Sequence, residues 1–153
     1  MNKTMAVTED KNDLLLLDRQ VCFPLYAATN LLNRLYSPVL RELGLTYPKY
    51  LVMLVLWEQQ PQTVGALGTR LYLDSGTLTP LLKRMEAAGH VTRARDPQDE
   101  RRVVIALTPK GEALREQVKH VPEVIANGRT LEGIDQLRDS VRGLVAMLAG
   151  QGV

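Results

Sequence analysis

Apolar residues recur every three or four positions in the first part of the chain, which is the spacing of an amphipathic helix. Between residues 14 and 35 they are Leu14, Leu17, Val21, Leu25, Ala28, Leu32 and Leu35. Pro24 lies inside this predicted helix and lacks an amide proton, so we expect a kink or a restart there. Ser37 followed by Pro38 is typical of a helix N-terminus and predicts a separate short helix that ends at Gly44.

Three helices are predicted next. Residues 47–58 are apolar on nearly every side, which predicts a buried central helix. Thr63 is a suitable N-cap for a short helix to about residue 71, and Asp74 for another to about residue 88, which Gly89 closes. Pro80 complicates the last of these, because Thr79-Pro80 would by itself also start a helix.

The apolar period then changes to two, as expected for strands. Residues 91–95 and 102–107 predict two strands joined by a turn at Asp96-Pro97, which together form a small β-hairpin. The order of helices and hairpin in residues 62–107 is that of a winged helix-turn-helix. This motif places its second helix in the major groove of DNA.

Two long helices are predicted after the hairpin. Thr108-Pro109 predicts the start of one that continues to about residue 126, and Asn127-Gly128 its end. The other covers residues 130–149 and carries an apolar seam whose members step by three and four: Ile134, Leu137, Val141, Leu144 and Leu148. Such a seam packs either against a partner helix or against the same chain.

Charge and composition narrow the class of protein. The net charge is only +2, but residues 70–110 hold eight basic and five acidic residues, a bias that suits a nucleic-acid surface and also many solvated faces. No apolar run reaches the roughly 18 residues of a membrane helix, and the N-terminus is not a secretory signal. We therefore expect a single cytoplasmic domain over residues 1–153 that makes no contact with a membrane.

The single cysteine, Cys22, is either a small buried apolar residue or a reactive thiol. No partner histidine and no βαβ pattern accompany it, so a thiol peroxidase is disfavoured and we expect no enzyme. His90 and His120 have no zinc-ligand spacing with it, and we expect no metal and no cofactor.

The segment LYLDSGTLTPLLKRMEAAGHVTRARDPQDERRVVIALTPKG (71–111) resembles the MarR family of transcription regulators, and the resemblance extends over essentially the whole chain. It implies a mainly α fold with a small β-hairpin. Residues 62–107 would form the winged helix-turn-helix, and residues 12–60 and 109–153 would supply dimerisation helices. It further implies a homodimer on a palindromic operator in double-stranded DNA, and a recognition helix that begins just after Asp74.

A second set of residues is similar to the organic-hydroperoxide-responsive subgroup of that family, OhrR. These are DRQVCFPLYAA (18–28) and LTYPKYLVMLVLWE (45–58). The resemblance implies that Cys22 is the peroxide-reactive thiol and that Tyr36 and Tyr47 reach it from the opposite subunit. Tyr26, one helical turn after Cys22, is a further candidate donor to the thiolate. All three tyrosines would also suit an interface core.

The chain departs from many of these relatives in one respect. They carry a second cysteine near the position of Asn127, whereas this chain has none. It therefore resembles the one-cysteine type, in which a low-molecular-weight thiol caps the oxidised sulfur or oxidation proceeds further.

Ten residues are candidates for DNA contact. The recognition helix and the wing, which is the predicted β-hairpin, supply them: Ser75, Thr77, Thr79, Lys83, Arg84, Arg93, Arg95, Asp99, Arg101 and Arg102. The resemblance implies that Arg101 enters the minor groove and that Asp99 holds its guanidinium, although such a pair is by itself usually a weak surface salt bridge.

The function expected from the sequence is a repressor that releases its operator when an organic hydroperoxide oxidises Cys22. The apolar neighbours of Cys22 favour alkyl or lipid hydroperoxides over hydrogen peroxide. The alternative within the same family is a repressor released by a small phenolic or anionic ligand, with Cys22 structural. A purely structural dimerisation module fits the wing and recognition-helix pattern less well.

Overall fold

The computed structural model of the protein describes residues 14–126 and 131–151. These residues form a mainly helical fold with a small three-stranded antiparallel sheet. The helices are α1 (Cys22–Glu42), α2 (Tyr47–Glu58), α3 (Val64–Leu71), α4 (Ser75–Ala87), α5 (Pro109–Gln117), α6 (Glu123–Ala126) and α7 (Leu131–Ala149). The strands are β1 (Gln62–Thr63), β2 (Val91–Arg95) and β3 (Val103–Leu107).

The chain divides into two compact units, Met1–Arg34 and Leu35–Val153. The core lies in the second unit and is largely aliphatic. Its largest fully buried side chains are Leu40, Leu45, Val52, Met53, Leu56, Leu67, Leu78, Leu82, Met85, Val91, Ile105 and Val121. Helix α2 contacts α3, α4 and α5, which confirms the prediction that residues 47–58 form a central buried helix.

Helix α1 corrects two predictions. It begins at Cys22 and not at residue 14, and a single turn of 3-10 helix precedes it at Leu17–Arg19. Pro24 is the third residue of α1, where an amide has no partner inside the helix, so a proline is tolerated there.

No separate helix begins at Ser37-Pro38, because α1 continues through Pro38 to Glu42. An interior proline costs about 3 kcal/mol. Tyr36 and Leu40, on either side of it, are buried, and burying each contributes about 2 kcal/mol. Burial in the core therefore outweighs the local preference for a helix start.

The sheet has the order β1-β3-β2, with β3 in the middle. Strands β2 and β3 form the predicted hairpin, with Arg93 opposite Ile105. Strand β1, opposite Ile105 and Val104, was not predicted, because two residues are too few to show an alternating pattern.

Helix α5 ends at Gln117 and not at residue 126. Pro122 has no amide proton and disfavours helical geometry in Val121, so the chain turns before α6 begins at Glu123. The predicted break at Asn127-Gly128 lies outside the described residues. None of the described helices is long and apolar enough to cross a membrane.

Candidate functional site

The recognition helix is α4, and a tight connection to α3 positions it. Asp74 caps α4, because its Oδ1 accepts a hydrogen bond from the Thr77 amide at 2.8 Å. Position 68 must be glycine, since a Cβ there would lie 2.6 Å from the Leu73 carbonyl oxygen. The N-terminus of α4 is thereby held against α3, in the arrangement of a helix-turn-helix.

A groove of about 570 Å³ opens where α3, α4 and the third strand meet. It is lined by Thr63, Val64, Gly65, Ala66, Ser75, Thr79, Arg101, Arg102 and Val103. Four of the ten predicted DNA-binding residues therefore line one surface, two hydroxyls from the recognition helix and two arginines from the wing.

The side chain of Arg101 in the wing is held in place by Asp99. Asp99 accepts hydrogen bonds from both the amide and the Nε of Arg101, each at 3.1 Å, and Arg102 Nε lies 3.7 Å from its carboxylate. These bonds from Arg101 lower the pKa of Asp99 below its ordinary value. The Arg101 side chain is still 91% exposed, so the pair orients the guanidinium and leaves it accessible to a phosphate or a base edge.

The other wing arginines have partners inside the protein. Arg93 lies 3.7 Å from the carboxylate of Glu86 on α4, and Arg95 donates to the Glu100 carbonyl at 2.6 Å. The Arg93 contact joins the hairpin to α4, the Arg95 contact lies within the hairpin, and neither arginine lines the groove. Lys83 and Arg84 are exposed on α4, and the Thr77 hydroxyl donates to Asp74 at 3.3 Å.

Three tyrosines cluster in the second compact unit. The rings of Tyr36 on α1 and Tyr47 on α2 have centroids 5.3 Å apart, and Tyr50 follows at 6.2 Å from Tyr47. Burial raises the pKa of all three hydroxyls above its ordinary value of 10, so they stay protonated and able to donate. Tyr50 was not among the predicted residues, although its spacing of three from Tyr47 on one helix is a signal for it.

Cys22 is the first residue of α1 and is exposed. Val21 and Phe23 beside it are exposed as well, and Tyr26, one turn later on the same helix, is 68% exposed. The thiol therefore has an apolar and accessible surface around it in the isolated chain. Within the described residues, no three His, Cys, Asp or Glu side chains are placed to hold a metal ion.

Comparison with known proteins shows that this chain is similar to transcriptional regulators. Residues 34–118 match the family described as transcriptional regulator SarA/Rot. The chain is 46% identical over 145 residues to the HTH-type transcriptional regulator TtmR of Methylorubrum extorquens (strain PA1), covering 95% of this chain and 74% of that protein. It is 44% identical over 142 residues to the organic hydroperoxide resistance transcriptional regulator of Bacillus subtilis (strain 168), covering 92% and 97%.

The chain also resembles AbfR of Staphylococcus epidermidis, which has been solved in several states. Reduced AbfR bound to DNA has a TM-score of 0.72 and 36% identity, covering 87% of this chain and 94% of that one. Overoxidised AbfR bound to DNA has a TM-score of 0.67 and 39% identity, covering 84% and 95%.

Proposed function

Because this chain belongs to the SarA/Rot family of MarR-like, winged-helix transcriptional regulators, we propose that it is a cytoplasmic repressor that releases its operator when an organic hydroperoxide oxidises Cys22. It is a DNA-binding regulator, and its relatives are regulators and not enzymes. One observation carries the proposal of peroxide sensing: an exposed thiol opens α1 in a chain that is 44% identical to an organic hydroperoxide resistance regulator.

The proposed reaction begins with the Cys22 thiolate, which attacks the terminal peroxide oxygen. An S–O bond forms, the O–O bond breaks, and the departing alkoxide takes a proton from water to become an alcohol. The sulfur is oxidised by two electrons to a sulfenic acid, and the peroxide is reduced. A low-molecular-weight thiol then condenses with the sulfenic acid, giving a mixed disulfide and water, or further peroxide oxidises the sulfur to the sulfinic state.

The apolar surface beside the thiol gives the proposed selectivity. Val21 and Phe23 are exposed next to Cys22, and contact with the organic group of an alkyl or aryl hydroperoxide would recover about 25 cal/mol for each Å² of apolar area removed from water. Hydrogen peroxide has no such group. Tyr36 and Tyr47 are the proposed hydroxyl donors from the partner subunit, and Tyr26 the proposed donor from the same helix.

DNA binding is proposed to use the groove between the recognition helix and the wing in each subunit of a homodimer. Ser75 and Thr79 would face bases or phosphates, and Arg101, aligned by Asp99, would enter the minor groove. Thr77, Lys83, Arg84, Arg93, Arg95 and Arg102 are proposed as weaker contacts to the backbone. A sulfenate or mixed disulfide at the dimer interface adds volume and polarity, so the two units no longer match half-sites about one helical turn apart.

Fluorescence anisotropy on a labelled operator from upstream of the chain's own gene tests the proposal. Cumene hydroperoxide is titrated into complexes of the reduced wild-type protein and of Cys22→Ser. We expect the wild type to release DNA at near-stoichiometric peroxide and Cys22→Ser to stay bound, with hydrogen peroxide acting more slowly on the wild type. Release by both proteins, or by neither, would show that Cys22 is not the switch and would favour a ligand-released repressor.

A further inference from the structure

His90 lies at the point where the recognition helix, the wing and α5 meet. It falls between the end of α4 and the start of the second strand, and it is only 4% exposed. Its amide donates to the Met85 carbonyl of α4 at 3.0 Å, and its carbonyl accepts a hydrogen bond from the Thr108 amide at 3.1 Å. One residue thus joins both DNA-reading elements to the start of α5.

Side chains at the N-terminus of α5 also bind the turn that contains His90. Lys110 Nζ donates to the Ala88 carbonyl at 2.8 Å, and the Thr108 hydroxyl donates to the Gly89 carbonyl at 2.5 Å. Position 111 has no room for a side chain, because a Cβ there would overlap the His90 carbonyl oxygen. The end of the recognition helix is therefore fixed closely on α5 through His90 and its two preceding residues.

The environment of the imidazole favours its neutral form. Its Nδ1 is buried and accepts or donates no hydrogen bond among the residues that the structure describes. Burial, followed by the positive charges of Lys110 on α5 and Lys49 on α2, lowers the pKa of His90 below its ordinary value of 6.5. A proton on this ring would be a buried charge beside two cations.

The acidic side chains of α2, α4 and α5 have other partners: Glu58 pairs with Arg70, and Glu116 pairs with Lys119. On α4, Lys83 and Arg84 are exposed, and Glu86 accepts a hydrogen bond from the Arg93 amide of the second strand at 3.0 Å. On α5, Glu112 accepts a hydrogen bond from the Gln60 side chain at 2.9 Å. These acids have partners of their own, so a protonated His90 ring would gain no ion pair from them in its buried site.

We propose that His90 is a positioning residue that fixes the recognition helix and the wing on α5 only while its ring is neutral, so that acidification weakens operator binding without any peroxide. When the ring takes up a proton it leaves its buried site. The hydrogen bonds from the Thr108 amide to His90 and from Lys110 to Ala88 then weaken together, and the recognition helix loses its fixed angle to α5. This inference rests on the proposed function as a DNA-binding repressor. The effect of pH is independent of Cys22 oxidation.

The sign of the pH dependence follows from linkage. The closed junction binds the proton more weakly than the loosened one, because burial and two lysines oppose it. Lowering the pH therefore favours the loosened junction. The effect is absent well above pH 6.5, begins as the pH falls through 6.5, and reaches full size below the lowered pKa of the closed form. One proton per protomer, or two per dimer, limits the change in operator Kd to about a hundredfold per pH unit.

The experiment measures Kd for a labelled operator duplex by anisotropy, with fully reduced protein, no peroxide and constant ionic strength, between about pH 5.5 and 8.0. Three proteins are compared with the wild type: His90→Leu, His90→Gln and His120→Gln. The chain has two histidines, and His120 is exposed, so His120→Gln is a matched control. Thermal melting at about pH 7.5 identifies whichever His90 variant folds.

We expect Kd of the wild type and of His120→Gln to rise at least about fivefold from pH 7.5 to 5.5, within the limit set by two protons per dimer. Kd of the folded His90 variant should stay level over that range. A proton NMR titration of the His90 ring Cε1–H signal, with DNA bound, should show a pKa below the ordinary value of 6.5. A level wild-type profile, or a His90 variant that follows the wild type, would overturn the proposal. Neither result would affect peroxide release through Cys22, which the peroxide titration measures separately.

Discussion

The hydroxyls of Tyr36 and Tyr47 illustrate how single residues suit the proposed sensor. Their ring centroids are 5.3 Å apart, and burial raises the pKa of both hydroxyls. A phenol that stays protonated donates to a thiolate without adding charge. The packing of the two rings would serve an interface core equally well, so only the hydroxyl itself distinguishes the two roles.

Replacing Tyr47 by Phe removes that hydroxyl and keeps the ring. A hydrogen bond to a charged group contributes about 1.5 kcal/mol, so we expect operator release by cumene hydroperoxide to slow about tenfold. The affinity of the reduced protein for DNA should not change. Stopped-flow anisotropy measures the rate. Tyr72→Phe removes the same hydroxyl from an exposed tyrosine in the turn after α3 and should react at the wild-type rate. A wild-type rate for Tyr47→Phe would exclude this hydroxyl as a donor to the thiolate.

At the scale of elements, the contact between α5 and the turn that follows α4 depends on the absence of a side chain. Gly111 lies in the first turn of α5, and its backbone packs against the His90 carbonyl. The Gly111 carbonyl also accepts a hydrogen bond from Trp57 Nε1 of α2 at 3.0 Å. The position therefore connects the central helix, the turn after the recognition helix and α5.

Gly111→Ala should lower the free energy of unfolding by about 3 kcal/mol. The added Cβ would overlap the His90 backbone, which cannot move aside as a flexible side chain can. Gly143→Ala is the matched control. Its Cβ would meet nothing within 4 Å on α7, and alanine stabilises a helix interior by about 0.5–1 kcal/mol relative to glycine. Urea unfolding at one protein concentration measures both. Equal stability of Gly111→Ala and the wild type would contradict the close packing of α5 on the His90 backbone.

At the scale of the whole molecule, the isolated chain leaves many large apolar side chains on its surface. On α7, Leu137 is 59% exposed, Leu148 48% and Val141 38%. These three belong to the seam predicted from the sequence. A second copy of the chain, as in the proposed homodimer, would remove this area from water.

Leu137→Glu places a charge on the seam and should shift the protein from dimer to monomer. Operator affinity should fall at least about a hundredfold, because one unit engages only one half-site. Ala146→Glu adds the same group on the opposite side of α7, at an exposed position, and should remain dimeric and bind normally. Sedimentation equilibrium gives the assembly state. A dimeric Leu137→Glu protein would show that this seam does not hold the two copies together.

The amino-acid sequence by itself determined the elements whose signals are local. Thr63, Asp74 and Thr108 each cap the helix that follows by accepting a hydrogen bond from an amide three residues later, so a window of a few residues is enough to predict α3, α4 and the start of α5. Gly44 and Gly89 adopt positive φ at predicted helix ends. The period of two in the apolar pattern of residues 91–95 is likewise local and is enough to predict a strand.

Only the tertiary structure decided the features that depend on distant partners. Helix α1 continues through Pro38 because Tyr36 and Leu40 are buried in the core, and β1 exists because β3 lies beside it. The groove between Ser75 and Arg101 and the burial of His90 against Thr108 and Gly111 join residues about 20 or more positions apart. Local propensity carries no information about such contacts, because their free energy comes from surface buried between segments that meet only in the folded chain.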